Sequence, residues 1–176
     1  MKLTIAYLSP SYIPSRTANS VHVMKMCEAL AELGNNVILL AKYGNVEKLN
    51  DYAYYGVNNN FKIIKNRVST VKIINELYHA VVNIYKCINI KPDLIYSRHY
   101  SSIYLASFLN IPFIHEDHSI PTPLHRFLLK YIFLRKLKKI VLISEALKKD
   151  YQVIFPQIKP DCFIVAHDAA EKPRDL

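Results

Sequence analysis

Residues Ser9–Gly34 read SPSYIPSRTANSVHVMKMCEALAELG. A short apolar run, Leu3–Leu8, precedes them. From Val23 onward they take on a helical period, with Val23, Met26, Cys27, Leu30 and Leu33 on one face. Gly34 stands where such a helix stops, and Ser20 is its predicted N-cap. Strand, loop and helix in this order open a parallel α/β sheet and can hold an anion at the helix N-terminus. Yet the loop, Ser9–Asn19, contains no glycine. A dinucleotide fingerprint needs glycines so that bare backbone can approach a pyrophosphate, and the phosphate loop of nucleotide hydrolases needs its Gly-Lys-Ser/Thr. Both are absent. What the loop offers is side chains: Ser11, Ser15, Arg16, Thr17, Asn19 and Ser20. They suit anions and hydroxyls near a helix N-terminus, or else they form a solvated connector.

The alternation continues along the chain. Apolar runs without period-two patterning mark strands at Leu3–Leu8, Val37–Ala41, Phe61–Lys65, Asp93–Tyr96, Pro112–Glu116, Ile140–Ile143 and Cys162–Ala166. A second long helix is marked by Val71, Ile74, Tyr78, Val81, Tyr85 and Ile88. Further helices are expected at Ser101–Leu109, Pro123–Leu137 and Ser144–Phe155. The polar stretch Asn45–Asn60 reads as a surface excursion. The predicted fold class is α/β: a Rossmann-like parallel sheet with helices on both faces and right-handed crossovers.

Composition narrows the function classes. The chain has 176 residues, 51% of them apolar, enough for one domain with a real core. No apolar run reaches the length of a membrane span, and the N-terminus reads as a strand rather than a signal peptide. Cys27, Cys87 and Cys162 are odd in number and show no metal or redox spacing, which suits buried thiols in a reducing cytoplasm. The net charge of +9 favours anionic partners without choosing among them.

In a parallel sheet, ligands bind beyond the carboxyl ends of the strands. The segments expected on that rim are Ser9–Asn19, Ser97–His99, Glu116–Ser119, Ser144–Glu145 and His167–Glu171. The densest polar cluster is PFIHEDHS, residues 112–119. In extended chain His115 and Asp117 point one way, Glu116 and His118 the other. Such pairs can bind a ligand, serve acid–base chemistry or be structural; a metal site would need a second ligand group at recognisable spacing. The basic stretch RFLLKYIFLRKLKK, residues 126–139, reads either as a core helix with cations at its C-terminus or as a peripheral contact with anionic lipid. No aromatic platform interleaves its basic residues, so nucleic acid is not an expected partner.

Five segments in series resemble the N-terminal half of a GT-B glycosyltransferase of family 4: CEALAELGNNVILL, KPDLIYSRH, NIPFIHEDHS, IVLISEALKKDY and FIVAHDAAE. In the third, His118 falls on the family histidine. Two departures stand out. The usual glycine pair of the first loop is replaced within SRTANS (15–20), and the closing-loop glycine is Ala169. The resemblance implies a retaining transferase that moves a sugar from a nucleotide-diphosphate sugar to a glycan, lipid or small-molecule acceptor, as in polysaccharide biosynthesis, with no cofactor and no metal. It implies catalytic roles for His118 and Glu116, the latter orienting the former. Acceptor or donor contacts would fall to Arg16, Asn19, Arg98, His99, Ser144 and Asp168; Ser144 can equally be a helix N-cap. Residues 1–171 would form the acceptor-side domain and 172–176 the start of a linker. The donor-binding second domain, which would hold the nucleotide sugar, is absent from this sequence. The expected setting is cytoplasmic, at the inner face of the cell membrane. Two other readings compete: a silent binding module that pairs with a separate donor-binding subunit, and an unrelated α/β enzyme using His/Glu chemistry.

Overall fold

A computed structural model describes residues 1–44, 50–67, 72–133, 135 and 137–167. In chain order the elements are β1 (Thr4–Ile13), α1 (Ala18–Glu32), β2 (Asn36–Tyr43), α2 (Asp51–Tyr55), β3 (Lys62–Asn66), α3 (Lys72–Ile90), β4 (Leu94–Ser97), α4 (Tyr100–Ala106), β5 (Phe113–Asp117), α5 (Pro123–Phe133), β6 (Leu137–Leu142), α6 (Glu145–Ile154) and β7 (Phe163–Val165). The strands form one seven-stranded sheet, ordered β3-β2-β1-β4-β5-β6-β7, and every pair is parallel. The strand order reverses between β1 and β4, which makes their carboxyl ends the topological switch point.

Side chains alternate between two cores. Ile5 and Tyr7 of β1 pack with Val23, Met24 and Cys27 of α1 and with Tyr55 of α2. Ala6 and Leu8 face the other way, into a core shared by α3, α4, α5 and α6. Helices therefore cover both faces, as the α/β reading expects. Cys27 and Cys87 are buried and Cys162 half-buried, all as free thiols. Burial pushes the Cys27 thiol well up, and the Cys87 thiol to about 12.

Several boundaries differ from the sequence reading. Much of the Ser9–Asn19 loop is strand: β1 runs on to Ile13, pairing Tyr12 with Lys42 and Ile13 with Tyr43 after an irregularity that follows Leu8. Ser9 and Ser11 are buried there, and the Ser11 N–H donates to Ser9 Oγ at 3.1 Å, which offsets their desolvation. The N-cap of α1 is Thr17, not Ser20; Thr17 Oγ1 accepts from the Ser20 N–H. Ser20 lies in the first turn, its hydroxyl donating to the Ser15 and Thr17 carbonyls. Gly34 does end α1, at φ +87.

The expected excursion Asn45–Asn60 lies partly outside the described residues, and its second half contains α2, capped by Asn50 and anchored by buried Tyr55. The fifth helix stops at Phe133, so Lys138 and Lys139 belong to β6 rather than to a helix C-terminus. This explains why Lys138 and Lys139 follow no helical face. The largest difference concerns α3. Its apolar positions Tyr78, Val81, Tyr85 and Ile88 are exposed, while Asn75, His79 and Asn83 are buried. The periodicity is helical, but it marks the outer face.

Candidate functional site

The site grows from the end of β5. Alternation along that strand sends His115 and Asp117 to one face and Glu116 and His118 to the other. On the first face Asp117 is an anchor. It accepts hydrogen bonds from the Tyr100 and Tyr151 hydroxyls and, at 2.9 Å, from the His118 N–H; His115 Nε2 stands 3.6 Å from its carboxylate. Burial would raise the Asp117 pKa, but the neighbouring His115 and the two hydroxyls outweigh it, and the acid is held below its ordinary value.

On the second face Glu116 is 4% exposed and gathers four partners. His118 Nε2 lies 2.6 Å from Oε1 and His22 Nε2 3.0 Å from the same oxygen. The Tyr96 hydroxyl donates to Oε2 at 2.7 Å, and Arg98 Nε stands 3.6 Å from Oε1. Burial pushes the carboxyl up; hydrogen bonds from His22, Tyr96 and His118 and the Arg98 charge override that, bringing it down to about 2. Glu116 is thus a buried anion that grips two rings. Those rings meet edge to face, with centroids 5.3 Å apart, and both are about a quarter exposed.

A ring nitrogen each of His22 and His118 and a Glu116 oxygen lie within 4.8 Å of one another, a donor set that a divalent cation accepts. The Arg98 guanidinium beside the same carboxylate opposes a second positive charge there. Hydrogen bonding to one shared oxygen accounts for the close approach of the rings.

Beside this cluster, the end of β1 and the start of α1 wall a cavity of about 650 Å³. Tyr12 and Tyr43 line it, with Lys42 Nζ 5.4 Å from the Tyr12 ring centroid and Lys65 Nζ 4.8 Å from that of Tyr43; Ser11, Arg16, Thr17 and Asn19 supply polar groups. The Asn19 amide donates to Ser11 Oγ at 2.7 Å, and Arg16 is exposed. Aromatic faces with hydroxyl, amide and guanidinium groups suit a polyhydroxylated ligand carrying negative charge. Asn19 lies three residues before His22 on α1, so one helical face joins the cavity to the Glu116 cluster.

Of the residues expected on the rim, Glu116, His118 and Arg98 come together, and Arg16 and Asn19 share the adjoining cavity. His99 does not join them. It is buried on the α3–α4 side, its Nδ1 2.7 Å from Ser102 Oγ and its Nε2 2.9 Å from Glu76. Ser144 is the N-cap of α6, accepting from the Leu147 N–H at 3.1 Å. Asp168 lies outside the described residues. The sequence reading missed His22, Tyr96, Tyr12 and Tyr43. His22 was findable, because one helical turn carries the rim-facing side of Asn19 onto it.

The comparisons agree with this architecture. A glycosyltransferase from Rickettsia africae superposes with a TM-score of 0.63 at 17% identity, over 94% of this chain and 43% of that one. UDP-GlcNAc 2-epimerase from Neisseria meningitidis, solved bound to UDP-GlcNAc, gives 0.68 at 11% identity, over 92% and 45%. HepE from Anabaena, solved with UDP and glucose, gives 0.62 at 13% identity, over 96% and 45%. The chain spans less than half the length of these structures, and at such identities the likeness shows the fold, that of GT-B proteins. No curated protein matches the chain. The family model for Glycosyltransferase Family 4 matches residues 20–166. The chain belongs to glycosyltransferase family 4.

Proposed function

We propose that this chain forms the acceptor side of a retaining glycosyltransferase that uses a nucleotide-diphosphate sugar, in cytoplasmic assembly of a polysaccharide or glycolipid. One observation carries the reading: the Glu116–His118–His22–Arg98 cluster sits at the switch point of the sheet, adjoining a cavity with tyrosine faces and hydroxyl-binding groups. Residues 1–171 make one wall of the cleft, and a second, donor-binding domain makes the other. In the transfer, the bond from the anomeric carbon to the diphosphate breaks. A bond to the acceptor oxygen forms on the same face, and the acceptor proton goes to the departing diphosphate. This chain's groups orient and neutralise. Glu116 fixes the His118 ring so that its exposed edge can bond the donor sugar. Arg16 faces the negative charge of the acceptor or the departing phosphate, and Tyr12, Tyr43 and Asn19 hold the acceptor hydroxyl in line.

The test is turnover of the full native chain with His118→Ala, assayed with nucleotide sugars and saccharide acceptors. A fall of about a hundredfold, the size of a lost preorganised contact, is expected. Turnover within a few-fold of the native chain removes His118 from the site.

A further inference from the structure

α3 follows β3, so it starts at the carboxyl rim of the sheet. Ala80 and Cys87 on its inner side are apolar, but Asn75, His79 and Asn83 are buried there too. None of these three lines the cavity. What they hold is the end of β1. Between the pairs Leu8–Leu40 and Tyr12–Lys42, three residues of β1, Ser9–Ser11, stand opposite the single Ala41 of β2. Such a bulge bends its strand and re-aims the side chains beyond it. His79 Nε2 lies 2.8 Å from the Ser9 carbonyl inside the bulge, and both residues are fully buried. Hydrogen bonds run on from there to the cavity. The Ser11 N–H donates to Ser9 Oγ, and the Asn19 amide donates to Ser11 Oγ at 2.7 Å. At the next position of β1, the Asn75 amide donates to the Tyr12 hydroxyl at 3.1 Å. Ser11, Tyr12 and Asn19 all line the cavity.

Donor and acceptor roles in this network are fixed from its outer end. The Lys86 ammonium has only hydrogens to give, and it donates to Asn66 Oδ1. The Asn66 amide nitrogen is thereby turned toward His79 Nδ1, at 3.1 Å, which must accept. Burial brings the His79 pKa down to about 4, so at pH 7 the ring carries one N–H. That hydrogen then sits on Nε2, facing the Ser9 carbonyl. Asn83 stands 3.1 Å from the same nitrogen and is held by its own bonds, from Asn66 and to Ser102. We infer that His79 is a positioning residue for the cavity: its Nε2–H grips the Ser9 carbonyl, fixes the β1 bulge and so sets Ser11 and Asn19 where an acceptor binds, while Asn75 sets Tyr12. The inference rests on the acceptor reading of the cavity. His79 does not line the cavity itself, so it acts on a ligand only through Ser9.

The experiment joins imidazole nitrogen NMR of the full native chain to steady-state kinetics of that chain and its His79 variants, with UDP- and GDP-sugars as donors and mono- and disaccharides as acceptors. At pH 7 the NMR should show His79 as the Nε2–H tautomer. His79→Leu removes the donor to Ser9; its acceptor KM should rise about tenfold, with the donor KM within about twofold of native. His79→Gln carries an amide nitrogen that can donate in place of the ring, and should bring the acceptor KM back to within about threefold of native. A substitution that only lowers stability leaves both KM values of the folded fraction alone, so the split between the two substrates separates positioning from support. Should the leucine variant fail to fold, His79→Asn, polar but too short to reach Ser9, carries the same expectation. An Nδ1–H or doubly protonated ring at pH 7 overturns the inference whatever the kinetics. So does a native acceptor KM in the leucine or asparagine variant, an equal rise for donor and acceptor, or a glutamine variant no better than leucine. A native chain that transfers no sugar with these substrates fails the transferase reading itself, and the role of His79 falls with it; an active chain whose variants show no split fails the inference alone.

Discussion

Glu116 and His79 are buried titratable groups that solve their burial in opposite ways. Glu116 keeps its charge, because three donors and a guanidinium surround it. His79 loses its charge. Burial, first, and the electrostatic influence of nearby His99 and Lys42 bring its pKa down from 6.5 to about 4, against the opposing pull of the Ser9 carbonyl 2.8 Å from Nε2 and of Glu76. For both groups the folded pKa is depressed, so the unfolded chain binds more protons in the window between the two values. Stability is fully present above the unfolded pKa and is lost as pH falls toward the folded one. For His79 the window runs from 6.5 to about 4; for Glu116 it runs from 4.5 to about 2. Acid weakening therefore begins at the histidine. Between about pH 7 and pH 5 the His79 linkage removes about 2 kcal/mol, at about 1.4 kcal/mol per pH unit once below 6.5. Urea midpoints across that range should show most of the loss gone in His79→Gln. An unchanged slope in the variant would assign the loss elsewhere. At this scale the sequence was informative where one element decides. Period-two alternation placed Glu116 with His118 and away from Asp117. It was silent where elements meet. His22 comes from a helix more than ninety positions away, and His99, next to Arg98, turns under the sheet because it begins α4 rather than ending β4.

The glycine missing from the first loop is supplied by a neighbouring element. Gly44 follows β2 and donates its N–H to the Ile13 carbonyl at 3.0 Å. A Cβ there would stand 2.0 Å from the Pro14 carbonyl oxygen and 3.0 Å from two backbone carbons. These are main-chain atoms, fixed by the β1–β2 ladder, and no flexible side chain can yield. The end of β1 can therefore close against β2 without a glycine of its own, and side chains of its loop are left to line the cavity. Gly44→Ala should cost about 3 kcal/mol, the upper range of overpacking, and should weaken saccharide binding, since Gly44 also lines the cavity. Thermal unfolding with a saccharide titration measures both; a variant as stable as the native chain would show that the contact can relax. Element existence was legible because apolar runs and helical periods are local. The ends were not. Ser9 and Ser11 look like loop residues until β2 supplies pairing, and Lys138 and Lys139 look like cations at a helix end until β5 draws them into β6. The outward stripe of α3 is the sharpest case: periodicity reports an apolar face and cannot say what that face meets.

Across the whole molecule, the strand order concentrates chemistry at one place. β1, β4 and β5 end side by side, and α1 starts above them, so residues from four elements converge without any loop longer than a few residues. This much followed from alternating strands and helices, since parallel crossovers leave little topological freedom. What the sequence held only as likeness, membership of a transferase family, rests on segments spread over nearly the full chain. If the chain forms one wall of a two-domain cleft, as proposed, the division of labour between the walls can be measured on this chain directly. Its cavity offers tyrosine side chains and hydroxyl partners, and the switch-point anion Glu116, with Arg98 beside it, repels a diphosphate. On the proposed function, saccharide acceptors should bind the 176-residue chain and shift the NMR signals of Tyr12, Tyr43 and Asn19. UDP-sugars alone should bind with Kd weaker than about 1 mM, equivalent to less than about 4 kcal/mol. Tight UDP-sugar binding centred on Arg16 and His118, with no saccharide effect, would place the donor on this wall and reverse the assignment. Saccharide shifts that vanish in a Tyr12→Ala variant, with UDP still silent, would fix the acceptor to the ends of β1 and β2.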